Sequence, residues 1–235
     1  HLSIRRQRQM CIRDRYIMDT QGGKFQKVLG REGLAFGQAQ ASPDGKWVAL
    51  SMCNSEAREW LYIRNTEDGE DLPIRLPLKR QFLFRGWFPA SKHVLLMTDW
   101  LEIMNIETGE HHAVTPTVWQ PGHRTVTDAA VAPYGQTIVY TDIQGDALYL
   151  IDDEGNELAT VASPMPHSGN RPENLVWSPD GKWIAYTWDQ GRVFGAGPLW
   201  LASASGDHAW QVSPPGSHEA MVAWSADSSR VMVTR

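Results

Sequence analysis

At 235 residues, with 42% hydrophobic and 21% charged content, the chain is long enough to bury a substantial core, which excludes a purely disordered polymer. A formal net charge of −5 leaves no basic footprint of the kind nucleic acid requires, so no nucleic-acid partner is expected. No apolar run reaches the roughly 20 residues of a membrane-spanning helix, and two cysteines, Cys11 and Cys53, are too few for a disulfide framework or a four-ligand zinc site.

The first fifteen residues, HLSIRRQRQMCIRDR, are arginine-rich, lack the apolar segment of a signal peptide and match nothing later in the chain. They resemble the translated read-through of a sequencing adapter, so residues 1–15 are set apart as a non-native or disordered leader and 16–235 as the folding unit.

From residue 16 onward two series of segments interleave. The first comprises QASPDGKWVALS (40 to 51), WFPASKHVLLMT (87 to 98), VAPYGQTIVYT (131 to 141), WSPDGKWIAYT (177 to 187) and WSADSSRVMVT (224 to 234). Each reads as a strand, a tight turn and a second strand, with turn positions Pro43, Pro89, Pro133, Pro179 and Ala226 spaced by 46, 44, 46 and 47 residues. The second comprises YIMDTQGGK, LYIRNTEDGE, LEIMNIETGE, LYLIDDEGNE and LWLASASGDH, with glycines at 23, 69, 109, 155 and 206. Two interleaved hairpins at one period of about 45 residues describe a four-stranded unit copied along the chain.

The turn residues carry a physical reason. Pro43 and Pro179 preset φ, Asp44 and Asp180 offer carboxylates to backbone amides, and Gly45 and Gly181 accept the positive φ needed to restart the strand. The flanking strands KWVALS and KWIAYT are almost continuously apolar, as expected where both faces of a sheet are covered. The fold predicted is all-β, a β-propeller of four-stranded antiparallel blades, with four complete blades and two half-blades. It is expected to be part of a ring of six to eight.

The SPDGKWVALS and WSPDGKWIAYT segments, followed by an aromatic strand and a GG or DG turn, resemble the repeats of TolB-like propellers, which also occur in the propeller domains of prolyl oligopeptidase and tricorn-type proteases. The likeness covers about residues 16 to 235. FPASKH, APYGQT and SADSSR keep the turn but depart from the motif. The resemblance implies a noncatalytic binding or scaffold module, a protein or peptide partner with a small ligand also possible, and a periplasmic or other extracytoplasmic location. Two alternatives stand beside it: the substrate-gating propeller of a prolyl oligopeptidase-like peptidase lacking its hydrolase domain, and a metal-dependent propeller enzyme such as a lactonase or lyase.

No catalytic residue, metal ligand or cofactor is assigned. Ser42 and Ser178 have no nucleophile elbow or paired base around them and read as turn residues. His111 and His112 are adjacent on a strand and point to opposite faces. Lys46 and Lys182 recur at one repeat position, as do Trp47 with Trp183 and Trp177 with Trp224, and are read as structural.

A binding face is predicted from strand alternation. The loops between second and third strands open on the same side as the inter-blade linkers, LPLKRQ (76 to 81), TPTVWQPGHRT (115 to 125), SPMPHSGNRPEN (163 to 174) and SPPGSHEA (213 to 220). Asp99, Asp142 and Asp189 start those loops at matching points of three blades. With Trp119, His123, Arg124, His167 and Arg171 in the linkers, they are the candidate ligand-binding residues, because irregular loops on a rigid scaffold are where propellers hold function. Three carboxylates on one rim would favour a basic group or a divalent cation.

Overall fold

The computed structural model describes residues 15–17, 26–29, 34–54, 59–66, 71–72, 82–116, 125–145, 147–162, 171–189, 197–214 and 216–234. All regular structure among them is β, and it falls into four four-stranded sheets and two two-stranded ones. The first two strands, β1 (Arg15–Ile17) and β2 (Gln26–Leu29), pair with each other. Blade 1 holds β3 (Leu34–Ala41), β4 (Trp47–Asn54), β5 (Glu59–Asn65) and β6 (Asp71–Leu72). Blade 2 holds β7 (Leu83–Trp87), β8 (His93–Met97), β9 (Leu101–Asn105) and β10 (His111–Ala113). Blade 3 holds β11 (Val126–Val131), β12 (Ile138–Asp142), β13 (Ala147–Ile151) and β14 (Glu157–Ala162). Blade 4 holds β15 (Arg171–Trp177), β16 (Trp183–Asp189), β17 (Leu199–Ser203) and β18 (Ala209–Gln211), and β19 (Ala220–Trp224) pairs with β20 (Val231–Thr234) beyond it.

Every sheet is an antiparallel meander in chain order, and the four complete blades are arranged as a β-propeller. The predicted fold class therefore holds. Sheets β1–β2 and β19–β20 remain separate two-stranded sheets rather than one shared blade.

The turns form as their residues require. Ser42 donates its hydroxyl to Asp44 Oδ1 at 2.6 Å and accepts the Trp47 amide at 3.0 Å, while Asp44 Oδ1 accepts the Lys46 amide at 3.1 Å. Ser178, Asp180 and Trp183 repeat the arrangement at 2.6 and 2.9 Å. Gly45 and Gly181 sit at φ 73° and 69°, where a side chain is unfavourable. The hydroxyls of Ser42 and Ser178, both buried beneath exposed turns, are thus spent on closing those turns.

The core lies between blades rather than inside any one of them. Along β8, Val94 and Leu96 pack with Ala49, Leu61 and Ile63 of blade 1, whereas Leu95 and Met97 pack with Val126, Ala129 and Ile138 of blade 3. Successive side chains of a strand point to opposite faces, so a strand that is apolar at every position fills two interfaces at once. Strand β13 is the extreme case, buried at all of its five positions. Burial of each such Leu or Ile contributes about 1.5–3 kcal/mol against the entropy of ordering the chain.

Candidate functional site

Adjacent blades are tied by hydrogen bonds that recur near the repeat length. Trp87 donates its indole N–H to the Gln40 carbonyl at 3.1 Å, Trp177 to Ala130 at 3.3 Å and Trp224 to Val176 at 3.2 Å. These tryptophans, of which Trp177 and Trp224 were read as structural from their shared repeat position, clasp the preceding inner strand. A second clasp comes from serine. Where blade 2 and the β19–β20 hairpin depart from SPDG, Ser91 and Ser228 take the glycine position at φ 59° and 58°. Their hydroxyls accept the amides of Asp44 and Asp180 at 3.1 and 3.0 Å.

The junction between blades 2 and 3 is built differently. At the clasp position blade 3 carries Val131, which has no donor. Instead Arg85 Nη1 meets Asp128 Oδ1 at 2.9 Å. Asp128 is buried, and its other bonds are to the Ala129 amide at 2.9 Å and, through Oδ2, the Leu175 amide of blade 4 at 3.0 Å. One carboxylate therefore holds three consecutive inner strands. Arg85 is the extra residue of a bulge between Phe84 and Gly86, and a bulge turns a side chain out of the regular alternation.

A cavity of about 440 Å³ is bordered by the inner strands of all four complete blades, from Gln40 and Ala41 of β3 through Arg85 and Trp87 of β7 and Val131 of β11 to Val176 of β15. Pro43, Pro89 and Pro133 close its outer edge, which places it at the end of the inner strands where the first hairpins turn. This is the side opposite the linkers. Arg85 is in the wall and Asp128 stands behind it, outside the lining.

The predicted rim residues are distributed as follows. Asp99 is exposed in the loop after β8, and its carbonyl accepts the Val126 amide of blade 3 at 3.0 Å. Asp142 is fully buried at the end of β12, where Oδ1 accepts the amides of Gln144 and Gly145 at 3.0 and 3.1 Å, an Asx turn that restarts the chain toward β13. Asp189 ends β16 opposite Arg171 in register, and its side chain lies outside the described residues. Arg171 Nε reaches Glu173 Oε1 on its own strand at 2.8 Å. Trp119, His123, Arg124 and His167 lie outside the described residues. Among the described residues no group of three or more His, Cys, Asp or Glu side chains is placed to hold a metal ion. His111 Nδ1 instead meets Glu102 Oε2 at 3.0 Å, and His112 Nε2 lies 3.3 Å from the Asp153 carbonyl of the next blade.

Sequence reasoning missed Arg85 and Asp128. The signal was present as a single charge in each of two otherwise apolar inner-strand segments, FRGW and TDAAV. Two opposite charges on neighbouring copies of one repeat, inside strands that should be buried, point to each other.

The electrostatics of this face are set by its turns. Asp44 and Asp180 are held below the usual carboxylate range, first by the Ser42 and Ser178 hydroxyls and then by backbone amides. Asp227 is lowered to about 2, chiefly by the Ser225 hydroxyl and then by the amide and hydroxyl of Ser229. All three stay charged at neutral pH within their own turns.

The class is thus a β-propeller with a cavity on the axis of its inner strands. No family model and no curated protein matches the chain. Among solved structures, oligogalacturonate lyase from Vibrio parahaemolyticus is similar at a TM-score of 0.63 and 16% identity, over 92% of this chain and 62% of that one. TolB from Acinetobacter baumannii is similar at a TM-score of 0.56 and 17% identity, over 87% of this chain and 61% of that one. A structure of prolyl endopeptidase matches at 0.60 and 14%, over 81% of this chain and 28% of that one. The chain spans about three fifths of the lyase and of TolB. The fold is that of TolB-like propellers, shared with a lyase and a peptidase.

Proposed function

We propose that this chain is a noncatalytic β-propeller binding module that takes a protein, peptide or small ligand on its axis. The observation that carries the reading is the 440 Å³ cavity bordered by four inner strands. A volume in this range holds a small molecule or a few side chains of a peptide, and concave sites on rigid scaffolds are where ligands bury most of their surface. Asp99 and Asp189, with the linker residues Trp119, His123, Arg124, His167 and Arg171, are proposed as a second contact area on the linker side, where buried Asp142 shapes its loop through the Asx turn rather than touching the ligand.

The test is a selection of short displayed peptides against the full chain, followed by hydrogen exchange of the complex. Protection of amides at 85–88 and 130–132 on binding supports the axial cavity, and protection at 98–100 and 142–145 supports the linker face. A bound peptide that protects neither region refutes the reading.

A further inference from the structure

We infer that the turn-side cavity selects an apolar ligand bearing one carboxylate, with Arg85 as the residue that recognises the charge; this rests on the axial cavity being a binding site. Three observations lead there. Most residues of the lining are apolar, with prolines, Trp87, Val131 and Val176 among them, although about half of the surface they present is polar, and Arg85 is the cation in it. Asp128 draws on one edge of that guanidinium from behind, while the Arg85 side chain keeps 23% of its surface exposed. With Nη1 held by Asp128 and Nε buried without a partner, the guanidinium is fixed in place, and its remaining donors are preorganised for a carboxylate oxygen, with little entropy left to lose.

The third observation is the charge pattern of the face. The first hairpin of each blade lies nearest the axis, and these turns carry exposed Lys46, Lys92, Lys182 and Arg230. The second hairpins lie about 10 Å farther out, two strand spacings away, and carry exposed Glu107, Glu110, Glu154 and Asp207. Asp44, Asp180 and Asp227 offset part of the inner positive charge, since they remain ionised in the same turns. The face is acidic at its rim, while four cations against three carboxylates leave its centre close to neutral, a pattern that keeps an anion off the edge and lets it reach the cavity mouth. An uncharged apolar ligand would feel no such gradient.

The experiment is calorimetric titration of the full chain with 2-naphthylacetate and with 2-naphthylacetamide, which share shape and differ in charge. The acid is expected to bind about tenfold more tightly than the amide, the difference a charge-assisted pair supplies. Adding salt from about 20 mM to about 500 mM should narrow that gap as screening shortens. In Arg85→Met/Asp128→Asn, which removes both charges together and leaves no buried carboxylate unpaired, acid and amide should bind within about twofold of each other, whereas Arg85→Lys should keep a reduced preference. A tripeptide Leu-Pro-Phe with a free or an amidated C-terminus asks whether the carboxylate can come from a chain end: a matching gap identifies a peptide terminus, and a gap for the naphthyl acid alone identifies a small molecule. Equal affinity of acid and amide for the parent, at any salt, overturns the role of Arg85 and leaves the cavity as a neutral site. An undiminished gap in the double variant overturns it as well. If neither naphthyl compound nor tripeptide binds, the cavity itself fails as a site.

Discussion

Gly155→Ala probes how closely the blades approach. Gly155 turns β13 into β14 at φ 88°, and a Cβ there would lie 2.3 Å from the Val114 carbonyl oxygen of blade 2. Gly109 is its counterpart one blade earlier, at φ 73° with nothing within 4 Å of the added atom. Both substitutions place alanine in the left-handed region, at roughly 1 kcal/mol each. Only Gly155→Ala also forces backbone against backbone, which must separate by about 1 Å and adds roughly 1–3 kcal/mol of overpacking. The expected losses are about 1 kcal/mol for Gly109→Ala and about 2–4 kcal/mol for Gly155→Ala. Urea unfolding followed by tryptophan fluorescence reads both as shifts in midpoint with unchanged slope. Equal midpoints for the two variants would refute the contact between the Gly155 turn and blade 2.

The serine clasp can be separated from its strain: Ser91→Ala keeps the unfavourable φ and loses the bond from the Asp44 amide, whereas Ser91→Gly loses the bond but relieves the backbone. Ser91→Ala should therefore unfold about 1 kcal/mol more easily than Ser91→Gly in the same urea assay, and the reverse order would count against the strain; a Ser91→Ala midpoint equal to the parent's would count against the clasp. Trp177→Phe should destabilise by about 1–2 kcal/mol through loss of the bond to Ala130 and some packing, and no change in midpoint would show the indole N–H to be idle. Asp142→Asn keeps an oxygen for the Gln144 and Gly145 amides and should leave stability within about 0.5 kcal/mol, while Asp142→Ala should lose about 1–2 kcal/mol. A large loss in Asp142→Asn would show that the charge itself is needed. The lowered folded-state values of Asp44, Asp180 and Asp227 stabilise the protein above the ordinary carboxylate value of 3.8, and that contribution disappears as pH falls through the folded values, to about 2 for Asp227. The thermal midpoint should fall across that window and fall less in Asp44→Asn/Asp180→Asn/Asp227→Asn; identical pH profiles would remove these turns as the cause.

The sequence was enough to read the hairpins, their period and the glycines at positive φ, because a turn such as Ser42 to Trp47 closes through bonds among neighbours no more than five residues apart. It also determined that strands such as β13 are covered on both faces, since no polar position interrupts ALYLI. The Asx turn of Asp142 was equally local, written in the following Gln144 and Gly145, although its place at one repeat position suggested a shared rim. The packed fold settled which neighbour each face meets: that Trp177 reaches Ala130, that Ser91 catches the Asp44 amide, and that Arg85 and Asp128 pair where Val131 replaces the clasping tryptophan. It also decided that a described cavity opens beside the first hairpins rather than the linkers. The difference is one of range. A turn is set by dihedral preferences and bonds within a few residues, whereas partners more than 40 residues apart meet only through the rotation of one packed blade upon the next, which depends on the summed shape of both interfaces and on no single motif.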